Sequence, residues 1–231
     1  MAGKDIKIRS RNGGEFDCYL AKPAASTKVP AIVIASAVHG VDADVRGIAD
    51  AFADAGYIAA APDLFWRTIP GPLPREDKRS AERSQPRLPV IATGETDMAD
   101  TLLAVRQVKQ HNGKAVAMGL CFGGPYSVLG PKRLGYDAGI GCHSTQMKDF
   151  LNEFDGLAKP VCLIWGDQDH AAPPDVQAAY TAKAKKIPGL SVHLFPGILH
   201  GYMMRGNAKA WSEPTYDFSM GKALELLQSL R

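Results

Sequence analysis

Residues 114–124 read KAVAMGLCFGG, and the architecture of the whole chain follows from them. The first seven are a short apolar run, as expected of a strand buried on both faces. Residues 119–124 are G-x-C-x-G-G, the pattern of a sharp strand-to-helix turn that presents a nucleophile, with Cys121 where Ser is usual. Its glycines are needed because side chains beside so tight a turn would clash. A helix opening at Gly123-Gly124 would aim free N–H groups at the sulfur and favour negative charge there. Pro131 is expected to end that helix early.

Outward from this turn, strands and helices alternate. Apolar runs at 30–36, 57–64, 136–142, 160–165 and 190–195 read as strands. Helical spacing marks 44–55, 97–110, 176–186 and 215–230. IKIRS and EFDCYLA alternate around Asn12-Gly13-Gly14, which predicts an opening hairpin. This order implies a mostly parallel sheet with helices on both faces and an N-terminal antiparallel hairpin. The chain reads as one domain, 1–231. Residues 67–94, rich in proline and charge, are the expected lid or active-site loop.

Composition excludes several classes. The 231 residues are 45% hydrophobic with a net charge of +3, which fits a globular domain and gives no basic stripe for nucleic acid. No run of about 18 apolar residues predicts a membrane span. The opening MAGKDIKIRSRNGG has no apolar signal core. Cys18, Cys121, Cys142 and Cys162 form neither a CxxC pair nor a dense framework, so reduced thiols and a cytoplasmic location are expected. No nucleotide motif and no zinc-type His/Cys spacing is present, so neither cofactor nor metal is expected. The oligomeric state is left open, and a monomer is compatible with the sequence.

In parallel sheets of this kind, ligands bind beyond the carboxyl ends of the strands. Gly166-Asp167-Gln168-Asp169-His170 follows one strand and Pro196-Gly197-Ile198-Leu199-His200 follows the last. The order nucleophile, acid, histidine is that of an α/β-hydrolase fold. His200 is the expected base, since a cysteine nucleophile needs a paired imidazole. Asp169 and Asp167 are rival acids, two residues apart in an extended segment. Cys18 and Cys162, inside strands, read as small buried hydrophobes, whereas Cys142 and His143 end a strand and could line the pocket.

The chain resembles the dienelactone hydrolase family of α/β-hydrolases. The resemblance rests on IVIA followed by HGV, AGYIAAAPDLF, MGLCFGG, WGDQDH and LHGYMMRG, and covers nearly the whole chain. It implies Cys121 as nucleophile, Asp169 as acid and His200 as base. Members of the family commonly carry Glu where Ala37 stands here, a residue associated with holding and activating the cysteine. Phe122 and Val38 are the expected backbone donors of the oxyanion hole. The arginines Arg75, Arg79, Arg83 and Arg87 recur every fourth residue. They read either as a solvated face or as the source of a carboxylate clamp, with Arg83 or Arg79 preferred and Arg205 as a second source. His39, Phe65, Trp66, Cys142, His143 and Tyr202 complete the expected substrate-binding set.

The expected activity is hydrolysis of a small activated ester or enol lactone, dienelactone-like and giving maleylacetate, through a thioester acyl-enzyme. A thiolate is easily expelled from a tetrahedral intermediate, so the other group must leave as readily. A broader carboxylesterase or thioesterase is the alternative, kept open by Ala37. A non-catalytic protein with a reactive thiol is the second.

Overall fold

The computed structural model describes residues 2–231. Eight strands form one sheet, in the order β1-β2-β4-β3-β5-β6-β7-β8. β1 (Lys4–Arg9) and β2 (Glu15–Ala21) make the expected hairpin, and β2 runs antiparallel to β4 (Ile58–Pro62). β3 (Val29–Ala35), β4, β5 (His111–Leu120), β6 (Ala138–Cys142), β7 (Val161–Gln168) and β8 (Leu190–Leu199) run parallel to one another. Every residue of β3, β4 and β6 is buried, so both faces of the sheet's middle are covered.

Helix α1 (Ala43–Asp54) shows why these segments form where they do. The Asp42 carboxylate accepts from the Val45 N–H at 3.0 Å, and Val45, Ile48, Ala49 and Phe52 form the buried stripe. A single turn, α2 (Arg79–Glu82), lies in the segment predicted as a loop. α3 (Arg87–Arg106) begins ten residues before the helix predicted at 97–110 and stops sooner. Pro89 is compatible with this start, because the first turn of a helix has N–H groups without partners in any case. The 67–94 segment is therefore partly helical.

After the sharp turn, a 3₁₀ turn at Cys121–Gly123 leads into α4 (Tyr126–Leu129). Pro131 does not end this helix. It continues as a wider π turn over Gly130–Leu134 and stops at Gly135, whose φ is 86°. Pro131 is the second residue of that turn, and the widened turn accommodates its ring without ending the helix. α5 (Pro174–Ala184) and α6 (Glu213–Ser229) follow close to their predicted bounds. No helix of the described residues is long and apolar enough to cross a membrane.

The turn at Cys121 is built on close backbone approach. A Cβ on Gly119 would meet the Gly123 carbonyl, and one on Gly123 would meet the carbonyl of Ala35 in β3. Gly123→Ala should therefore lower stability by about 1–3 kcal/mol or more, as overpacking does. In urea unfolding the midpoint should fall with the slope unchanged.

Candidate active site

The carboxyl ends of β5, β6, β7 and β8, with the loop after β3, surround a cavity of about 380 Å³. Cys121 stands immediately after β5 with φ 52°, a left-handed backbone that only glycine adopts without strain. Its carbonyl accepts from the Gly124 N–H at 3.0 Å and the Thr145 N–H at 2.9 Å. These bonds hold the turn so that the sulfur leaves the sheet and faces the cavity, where it is partly exposed.

Three residues predicted from separate motifs converge. His200 Nε2 lies 3.1 Å from Cys121 Sγ. His200 Nδ1 lies 2.9 and 3.0 Å from the two carboxylate oxygens of Asp169. Asp169 is buried, and its Oδ1 also accepts from the Ala171 N–H at 2.8 Å. Asp167 is exposed and accepts instead from the Gly197 N–H at 2.7 Å. Of the two rival acids, Asp169 is the one at the histidine. Burial disfavours a charged His200 ring. Its hydrogen bonds to Asp169 and Cys121, with the negative charge on both, outweigh that and push its pKa up to about 10.

Around this chain lie three further histidines. His143, after β6, is fully buried and lines the cavity, with its ring 5.1 Å edge-on to that of His200. Its φ is 40°, and burial followed by the His200 charge lowers its pKa well below the ordinary value. Neither of its ring nitrogens has a hydrogen-bond partner. His170 sits 5.1 Å from the His200 ring on the other side of the cavity lining. His39 also faces the cavity, and burial followed by the charge of Arg75 lowers its pKa. Val38 and Ala37 line the same wall.

Several expected substrate contacts are placed elsewhere. Arg79, the first residue of α2, is exposed and bound to Asp77, two residues before it. Arg205 is exposed, with its guanidinium 5.0 Å over Trp211 and 5.4 Å over Tyr216, outside the cavity. Arg83 is buried but points beneath the site. Its Nε donates to the Val38 carbonyl at 2.8 Å, Nη1 donates to the Ile69 and Gly71 carbonyls, and the guanidinium stacks 4.4 Å from Phe65. These bonds brace the loop after β3, and Arg83 is not among the residues that line the cavity.

The aromatic expectations move in the same way. Phe65 is packed against Phe122 in the core. Trp66 stacks on Phe16 and donates to Asp97. Tyr202 is buried with its hydroxyl 2.9 Å from Ser219. Cys142 is fully buried and is not among the residues that line the cavity, and desolvation pushes its pKa up to about 12.

The arginines that do face the cavity are Arg75 and Arg87. Arg75 is bound to Asp44 and Asp42. Arg87 Nη1 donates to Gln146 Oε1 at 3.1 Å and has no ion pair recorded among the described residues. Both belong to the four-residue arginine row, so the signal was present, but only the backbone could say which members turn inward. Gln146, at φ 58°, carried no sequence signal at all.

The family model of the dienelactone hydrolase family matches residues 16–229. A carboxymethylenebutenolidase of Pseudomonas putida is 29% identical over 206 residues, covering 87% of this chain and 86% of its own. Carboxymethylenebutenolidase 1 of Cupriavidus pinatubonensis is 24% identical over 238 residues, covering 100% and 99%. The crystal structure of a dienelactone hydrolase-like promiscuous phosphotriesterase from metagenomic libraries superposes with a TM-score of 0.82 at 15% identity, covering 100% and 99%, a likeness of fold. With an α/β-hydrolase sheet underneath it and a family match spanning nearly all of it, the chain belongs to the dienelactone hydrolase family.

Proposed function

We propose that the protein hydrolyses a small activated ester or enol lactone, of the dienelactone kind, through a thioester on Cys121. The observation that carries this reading is the unbroken chain of contacts from Cys121 Sγ through His200 to Asp169 on a left-handed turn. His200 takes the thiol proton, and Asp169 orients the imidazole and stabilises its charged form. The thiolate attacks the carbonyl carbon. Backbone N–H groups of Phe122 and Val38 receive the oxyanion, a contribution of about 3 kcal/mol per donor. The leaving group departs with the proton from His200, which then activates water to release the acid.

Arg87 supplies the positive charge for a carboxylate-bearing substrate. It faces the cavity without a carboxylate of its own, unlike Arg75. A broader esterase or thioesterase is the second reading. It is favoured by the placement of Arg79, Arg83 and Arg205 away from the cavity and by Ala37 in its wall.

Steady-state hydrolysis of dienelactone and of p-nitrophenyl acetate, before and after iodoacetamide, tests the assignment. Alkylation should abolish turnover of the lactone, and Cys121→Ala should reduce kcat by a factor on the order of 10⁶, the scale for a triad nucleophile. Full hydrolysis by Cys121→Ala would falsify the mechanism. If only the simple ester turns over, the second reading holds.

Arg87→Met should raise KM for a carboxylate-bearing lactone by about 10–100-fold, the value of a charge-assisted hydrogen bond, and leave p-nitrophenyl acetate nearly unaffected. Equal losses on both substrates would assign Arg87 a structural task.

The raised His200 pKa also links stability to pH. Folding favours the charged ring, so its contribution is complete at and below the ordinary histidine value of 6.5 and fades as pH rises through about 10. The stability difference between wild type and His200→Gln, followed by denaturant unfolding, should shrink across that window. A difference that stays constant there contradicts the shift.

A further inference from the structure

Cys121, His143 and His200 are distant in the chain, and the fold brings one donor atom from each to within 4.8 Å of the others. They stand at the ends of three parallel strands, β5, β6 and β8. A thiol sulfur and two imidazole nitrogens are a donor set that zinc takes readily. Two further features point to a ligand. His143 is fully buried at the cavity wall, and both of its ring nitrogens lack a hydrogen-bond partner. Buried polar atoms are almost always partnered, so this orphaned ring asks for an occupant. His200 Nδ1 is engaged by Asp169, which leaves Nε2 as the donor facing the sulfur. Carboxylate–histidine pairs of this kind commonly orient a metal-binding imidazole. Hydrolysis by Cys121 and His200 gives His143 no task.

We propose that Cys121, His143 and His200 form a zinc site that reversibly holds the enzyme inactive. The ion bonds to Sγ, to His200 Nε2 and to one ring nitrogen of His143. The proton shared by the Cys121–His200 pair leaves to solvent, and no electron is transferred. Three protein donors leave the fourth tetrahedral position open to the cavity, where water or an anion completes it. With Sγ and Nε2 both bonded to the ion, neither nucleophile nor base is available.

Cobalt(II), which occupies tetrahedral zinc sites and reports on their ligands, is the probe. Titrated into the full chain after chelator treatment, it should give thiolate-to-cobalt charge-transfer absorption that saturates at one ion per chain. Zinc should remove that absorption by displacement. X-ray absorption of the zinc-loaded protein should count one sulfur at about 2.3 Å and two imidazole nitrogens at about 2.0–2.1 Å. Zinc should slow both alkylation of Cys121 and ester hydrolysis, and chelator should restore both.

His143→Phe should weaken zinc binding at least about tenfold, since even outer partners of metal ligands are worth about 10–100-fold in affinity. Absence of the charge-transfer band, a single imidazole at the ion, or unchanged zinc affinity in His143→Phe overturns the proposal. X-ray absorption needs no variant, so it decides the matter even where His143→Phe does not fold. Binding is read without substrate, so failure of the zinc site and failure of the hydrolytic reading register separately.

Discussion

The left-handed backbone at Cys121 is the constraint to which the rest of the site is fitted. A non-glycine residue in that region costs of order 1–3 kcal/mol and persists only where its surroundings over-determine it. Here β5 is hydrogen-bonded on one side to β3 and on the other to β6. Gly123 lies against the Ala35 carbonyl, and Thr145 binds the Cys121 carbonyl. The sheet and the loop after β6 together leave the turn no cheaper conformation. The sulfur is thereby fixed before any substrate arrives, and only the imidazole has to be brought to it.

That imidazole comes from the far side of the sheet. Asp169 follows β7 and His200 follows β8, and these two strands are neighbours with a register shift between Gly166 and Gln168. The irregularity falls where the acid-bearing loop leaves the ladder. It lets Asp169 turn inward to the His200 ring while Asp167 stays outside on the Gly197 N–H. Two carboxylates separated by one residue thus acquire different tasks.

The alternation of strands and helices, the turn, and the placement of Cys121, Asp169 and His200 were legible because each depends on a local signal: an apolar run, paired glycines, or a polar residue just past a strand end. The arginine row was not legible in the same way. Spacing of four places side chains on one face only if the helix is continuous. The helix is interrupted between Glu82 and Arg87, so Arg83 turns under the β3 loop while Arg87 opens α3 toward the cavity. The burial of Cys142, Tyr202 and Phe65 depends on packing between elements far apart in sequence, which no spacing reveals. His143 was found as a strand-end residue, but its missing partners belong to three dimensions alone.

Two parts of the cavity lining are held in different ways. The wall carrying Cys121 is welded into the middle of the sheet, where almost any exchange disturbs packing on both faces. The stretch beside it that carries Arg87 and Gln146 is tied by side-chain contacts that do not enter the strand ladders. An exchange there can change what the cavity admits while the Cys121 sulfur stays where it is. Reach into the cavity and reactivity at its floor are thus carried by separate parts of the chain.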